Sequence, residues 1–196
     1  MWRAAALVSV VLLAGGGIFW WATDGGRALT AEAARRLDIA AAPRPLPDVT
    51  LVDQTGATVA LSAYRGAPLL MEFVYAGCAD ICVGLGRAFE RLDAAVPPSV
   101  RLLSVSFDPA DDVRRLGWFA ERYGAVAPRW RVAGVPEAAA RAALLAHAGV
   151  VALPDGMGGF VHNAGLYLVD RHGRLSAVFE LEDTAAARAA LDGHAR

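Results

Sequence analysis

Both cysteines of the sequence, Cys78 and Cys82, stand four positions apart. If Cys82 lies in the first turn of a helix and Cys78 one turn before it, this spacing puts both sulfurs on one face, at the positive end of the helix dipole. That placement lowers a thiol pKa and favours thiolate. Two such sulfurs can close a disulfide, because α-carbons about 6 Å apart fall within the range a disulfide tolerates. They can equally hold a soft metal ion. A plain structural disulfide in an exported domain is a third reading, and the pair alone leaves all three open.

The flanking sequence says what must position the sulfurs. Residues 68–75, Pro-Leu-Leu-Met-Glu-Phe-Val-Tyr, form an apolar run with the character of a buried strand. Residues 83–92 continue with helical periodicity, so the cysteines occupy a strand-to-helix turn. Upstream, residues 48–53 and 57–61 alternate around Gln54-Thr55-Gly56 and predict a hairpin. Downstream, residues 100–107 predict a second buried strand. Strand, helix and strand imply a parallel pair. Asp108 to Asp112 open a helix expected to run to Tyr123 and to end at Gly124. A short strand is expected at 130–133 and a helix from Pro136 to His147. A glycine-rich loop follows at 154–159. The remainder predicts a second hairpin, from strands at 164–169 and 175–181, and a closing helix at 184–191.

The chain of 196 residues suffices for one ordinary domain and a short extension. A net charge of −1 with scattered arginines gives no footprint for nucleic acid, so a nucleic-acid partner is excluded. There is no lysine, which reads as compositional bias.

Residues 4–22 carry no charge and follow a single Arg3. As a helix they span about 28 Å, close to a bilayer core, and Phe19-Trp20-Trp21 fall where an interfacial aromatic belt would sit. The expectation is an uncleaved membrane anchor over residues 1–23 with the domain on the periplasmic or extracytoplasmic side. A cleaved signal is the alternative. Residues 24–45 read as a linker, within which 31–37 could be helical, and residues 46–196 as the folded domain.

This order of elements is that of a thioredoxin-like fold, here with an N-terminal hairpin extension and preceded by one transmembrane helix. Over residues 46–183 the chain resembles the Sco/SenC family of membrane-tethered copper proteins that assist cytochrome c oxidase assembly. Three stretches carry the resemblance: Phe73 to Cys82, Leu103 to Asp112, and Val161 to Leu175. The family's usual Cys-Pro-Asp-x-Cys-Pro appears with Ala79 and Val83 in place of both prolines, and both cysteines are kept.

The resemblance implies copper as Cu(I) or Cu(II), held by Cys78, Cys82 and His162, with Cys78 and Cys82 also forming a redox disulfide. It implies as partners the copper-site subunit of cytochrome c oxidase, other copper chaperones or thiol reductants, and the membrane through the first helix. Two thiolates and an imidazole suit copper, whereas a structural zinc site would want a fourth protein ligand. Of the other histidines, His147 is expected at a helix end, His172 in a hairpin turn and His194 in the tail. Asp80 and Asp108 lie near the cysteines but read first as helix-capping acids. Met157 sits in the glycine loop without an assigned duty, and the tryptophans, Phe89 and Leu92 read as core or membrane belt. The expected function is delivery of copper to, or reduction of the cysteines in, the binuclear copper site of an oxidase. A membrane-tethered thiol–disulfide oxidoreductase or thiol peroxidase acting without metal is the rival, and its usual two-residue cysteine spacing is one shorter than the spacing here.

Overall fold

A computed structural model describes residues 2–78 and 81–194. The chain divides into two compact units, residues 1–41 and 42–196. In the first, helix α1 spans Trp2–Ala22, has no buried residue, and is long and apolar enough to cross a membrane. Within the expected linker, where 31–37 was read as able to form a helix, a second helix, α2, spans Ala31–Ala41. The Thr30 hydroxyl accepts the Ala33 N–H at its start, a side-chain N-cap that was not read from the sequence.

The second unit is built on an eight-stranded mixed sheet. Its strands are β1 (Arg44–Pro45), β2 (Thr50–Asp53), β3 (Thr58–Ala60), β4 (Leu69–Val74), β5 (Arg101–Ser106), β6 (Trp130–Gly134), β9 (Leu166–Val169) and β10 (Arg174–Phe179). Across the sheet their order is β1-β10-β9-β4-β5-β6-β2-β3. Helices α3 (Ile81–Ala95) and α4 (Val113–Tyr123) make the crossovers that leave β4, β5 and β6 parallel. Helix α5 (Ala138–Ala148) follows β6, and α6 (Thr184–His194) closes the chain. The predicted hairpins appear as β2–β3 and β9–β10.

Every residue of β4 is buried, as expected of a central strand covered on both faces. This includes Glu72, whose Oε1 accepts the Ser104 hydroxyl on β5, while Ser104 Oγ in turn accepts the Trp130 indole N–H on β6. Burial raises the Glu72 carboxyl to about 8, because the charged form loses its hydration.

The structure departs from the sequence expectations at several places. The sheet begins at Arg44, inside the proline run expected to be linker, and Pro45 is tolerated there because β1 is an edge strand with no inner ladder to complete. Helix α4 starts at Val113, not near Pro109. Its cap is Asp112, whose carboxylate accepts the Arg115 N–H, while Asp108 instead accepts the N–H of Ala110 in a preceding turn. Helix α5 likewise starts after Pro136, with Glu137 accepting the Ala139 and Ala140 N–H groups. Gly124 takes the left-handed conformation that ends α4, as predicted. Trp118 is neither core nor belt: it is half exposed on α4 with the Arg122 guanidinium stacked 5.2 Å from its ring. The glycine-rich loop expected at 154–159 is present over 155–159, but it joins two strands that were not predicted, β7 (Ala152–Pro154) and β8 (Phe160–His162), which form a separate two-stranded ribbon.

Candidate metal centre

The site forms at the carboxyl end of β4, where open α/β sheets gather ligands. The chain leaves β4 through Tyr75-Ala76-Gly77 and turns at Cys78, whose N–H reaches the Tyr75 carbonyl. Cys82, the second residue of α3, donates its N–H to Cys78 Sγ at 3.4 Å, so one sulfur caps the helix that carries the other. Both cysteines are free thiols, Cys78 half-buried and Cys82 buried.

His162 comes from the opposite side, at the end of β8. In the β7–β8 ribbon Ala152 pairs with His162, Leu153 with Val161, and Pro154 with Phe160. His162 and Phe160 therefore share one face, and Leu153 and Val161 point the other way. The His162 Nδ1 lies 3.2 Å from the Asn163 carbonyl, to which it donates. That fixes the tautomer: Nε2 keeps its lone pair and stands 3.7 Å from Cys82 Sγ. The Asn163 side chain pins the turn, accepting the Val151 N–H and donating to the Gly149 carbonyl.

Cys78, Cys82 and His162 thus come together from three segments, with donor atoms all within 4.8 Å of one another. His147 is elsewhere, its ring against the Ala143 carbonyl at the end of α5, and His172 lies in the β9–β10 turn. His194 ends α6. Met157 is 88 % exposed in the β7–β8 loop. Ala79 and Asp80 lie outside the described residues.

Two features were not read from the sequence. The first is an aromatic wall: Tyr75, Phe107 and Phe160 pack on one another, and the Phe107 and Tyr75 rings lie 5.0 and 6.1 Å from the imidazole. Gly159 makes this approach feasible, since a Cβ there would stand 3.0 Å from the Tyr75 hydroxyl and closer still to the Asp155 carboxylate. The second is Asp111, whose buried Oδ2 accepts the Ala76 N–H at 2.7 Å and the Ser106 hydroxyl at 2.6 Å, tying the cysteine turn to the end of β5. Asp111 had been grouped with the helix-opening acids. Its depth in the fold follows from the register of β5, which local sequence does not display.

The expected lowering of the thiol pKa fails at Cys82. Burial drives its pKa up, with a backbone hydrogen bond from Tyr75 opposing, so in the free protein it is a thiol. Helix position counts for less than loss of water here. Burial also lowers the His162 pKa, which keeps the imidazole neutral and competent as a donor. A soft, partly dry pocket with two sulfurs and one nitrogen fits a thiophilic ion such as copper, and binding would displace the Cys82 proton.

Comparison with solved structures finds similar folds. The Bradyrhizobium japonicum ScoI structure with copper bound is 26% identical, with a TM-score of 0.64 over 76% of this chain and 99% of that one. The Sco-family protein BsSco, with its disulfide switch, is 17% identical, with a TM-score of 0.65 over 79% and 95%. A SCO1/SenC family lipoprotein from Bacillus anthracis is 17% identical, with a TM-score of 0.65 over 77% and 98%. No curated protein matches the sequence. The SCO1/SenC family model matches residues 40–192, which include both cysteines, His162 and every strand of the sheet. The chain belongs to the SCO1/SenC family.

Proposed function

We propose that this protein binds copper through Cys78, Cys82 and His162 and serves cytochrome c oxidase assembly, passing copper to the binuclear copper site or reducing that site's cysteines. The observation that carries the reading is the pairing of His162 and Cys82. A histidine held in one tautomer by its neighbour's carbonyl, with its bare nitrogen 3.7 Å from a buried sulfur, is arranged as a ligand set. A structural disulfide would leave that histidine without a reason. Copper in the ScoI relative, and the assembly role named for the Sco family to which BsSco belongs, support the same reading. The proposal places α1 in the membrane as an uncleaved anchor and the sheet domain on the extracytoplasmic side.

Cys78 and Cys82 also form the redox pair in this proposal. The half-buried Cys78 is the sulfur that a thiol partner can reach, and Cys82 is the resolving sulfur behind it. Copper acts as cargo: releasing the ion in the oxidation state in which it was bound leaves two thiols once protons return, whereas reducing a disulfide of the partner passes two electrons to it and leaves the Cys78–Cys82 disulfide.

The test is anaerobic Cu(I) titration of the reduced full chain, with X-ray absorption reporting ligation, followed by incubation with a copper-free oxidase copper domain. One ion per chain with sulfur and nitrogen ligands, then transfer, is the expected result. Thiol–disulfide exchange with that domain in the absence of any copper binding would support the metal-free oxidoreductase instead.

A further inference from the structure

We propose that the cleft bounded by Tyr64, Arg65, Arg101 and Arg131, at the pole of the sheet opposite the cysteines, binds a phosphate-bearing oxyanion.

The placement follows from the topology. Cys78 and Asp108 lie beyond the carboxyl ends of β4 and β5. Tyr64 and Arg65 precede the amino end of β4, Arg101 opens β5, and Arg131 is the second residue of β6. Because β4, β5 and β6 are parallel and in register, with Leu69 opposite Arg101 and Leu103 opposite Arg131, the three arginines converge at one end. Together with Tyr64 and Pro128 they line a cleft of about 310 Å³. This is well separated from the copper ligands, none of which lines it.

The charges facing the cleft do not cancel. Asp53 takes Arg131, with Nε to Oδ2 at 2.9 Å, and spends its other oxygen on the Thr55 and Ala57 N–H groups. Asp48 lies beside Arg65 and accepts the Ser62 N–H. Among the described residues, neither Arg65 nor Arg101 forms a salt bridge. A second, independent feature is the Tyr64 hydroxyl. Tyr64 is 7 % exposed and lines the cleft; its oxygen faces the Arg131 guanidinium, and among the described residues no acceptor takes its proton. Its O–H is a buried donor awaiting an acceptor. Arg131 donates toward that oxygen, and Asp53 and Arg101 stand near enough to act on it electrostatically in opposite senses.

These donors arrive from three successive strand starts and a phenol. A planar carboxylate offers its oxygens along one edge, which two parallel guanidinium N–H groups already satisfy. A tetrahedral oxyanion offers oxygens in several directions and can meet the whole set. Free phosphate and the phosphate of an anionic lipid headgroup share that chemistry.

The test uses the full chain in maltoside micelles, titrated with inorganic phosphate and read by ³¹P line broadening. A parallel arm uses nanodiscs of phosphatidylcholine with or without phosphatidylglycerol, read by amide exchange at residues 62–67. Saturable phosphate binding that weakens about tenfold in Arg101→Gln or Arg65→Gln, and severalfold in Tyr64→Phe, is expected. Protection by phosphatidylglycerol, lost in Arg101→Gln, with no binding of free phosphate would assign the site to a lipid headgroup. Unchanged Cu(I) titration in the variants shows that the fold is kept. If an arginine variant fails to fold, Tyr64→Phe decides alone. No response to either phosphate source, or a response the substitutions leave intact, overturns the proposal.

Discussion

The Tyr75 hydroxyl accepts the Phe160 N–H at 3.4 Å, so the residue that leaves the central strand toward Cys78 holds the strand that carries His162. The two halves of the ligand set are joined by this bond and by the packing of the Tyr75 and Phe160 rings. Tyr75→Phe removes the bond and keeps the ring. It should cost about 1 kcal/mol of stability and speed Cu(II) release severalfold, with the sulfur-to-copper absorption band shifted. Stopped-flow transfer to a chelator measures the release, and an unchanged rate would show that ring packing alone positions the hairpin.

His162→Ala should weaken Cu(II) binding severely and Cu(I) binding less, since two thiolates can still hold Cu(I) between them. The potential of the Cys78–Cys82 couple should move little. Cys78→Ser should abolish tight Cu(I) binding in a folded protein, and His147→Ala should change nothing. Competition titration against a Cu(I) chromophore separates these cases, and native affinity in Cys78→Ser would return the pair to a structural role.

Asp111→Ala strips the acceptor from the Ala76 N–H and from the Ser106 hydroxyl. Two donors in a part-buried site lose their partner, a change worth about 2–4 kcal/mol if water does not replace it. Thermal melts should register the loss. Copper affinity should fall as well, because the turn bearing Cys78 is no longer tied to β5.

The pH dependence of stability should carry the mark of Glu72. Its folded pKa of about 8 lies above the ordinary glutamate value of 4.5, so the native state holds this proton more tightly than the unfolded chain. The contribution is complete below the unfolded value and fades as pH rises through about 8. Asp53 and Asp170 act in the opposite sense. Hydrogen bonds to the charged carboxylates outweigh burial and hold both pKa values low, so their contributions are lost on acidification. Glu72→Gln should flatten the alkaline decline of the melting temperature and leave the acid limb as it was.

If α1 is an anchor, mature protein recovered from membranes should begin within the first residues of the chain. An amino terminus found after Trp21 would instead identify a cleaved signal.

Much of the centre was legible because strand and helix periodicity bracket Cys78 and Cys82 so closely. The two hairpins and the parallel crossover followed from turn residues and alternation alone. His162 was legible only through its motif, since nothing local distinguishes it from His172. The β7–β8 ribbon escaped notice because Pro154 and the glycines of 156–159 look like loop, and three-residue strands are too short to show a period. Asp111 and Asp112 could not be told apart by composition. One faces β5 and the other caps α4, a difference set by tertiary register. The state of the Cys82 thiol was misjudged because a sequence shows where a helix begins but not how much water reaches its first turn.

The ribbon has a further consequence. Both sulfurs belong to the scaffold of the large sheet, but the nitrogen rides on a two-stranded piece that shares no ladder with it. Such a piece is marginal by itself, so its opening should require far less free energy than global unfolding. Amides of 152–162 should exchange with solvent well before those of 69–74. If copper is held as proposed, the donor set has a fixed part and a detachable part, and departure should have an order: the imidazole would let go first, and the paired sulfurs would keep hold until an acceptor's own ligand had taken the vacated position.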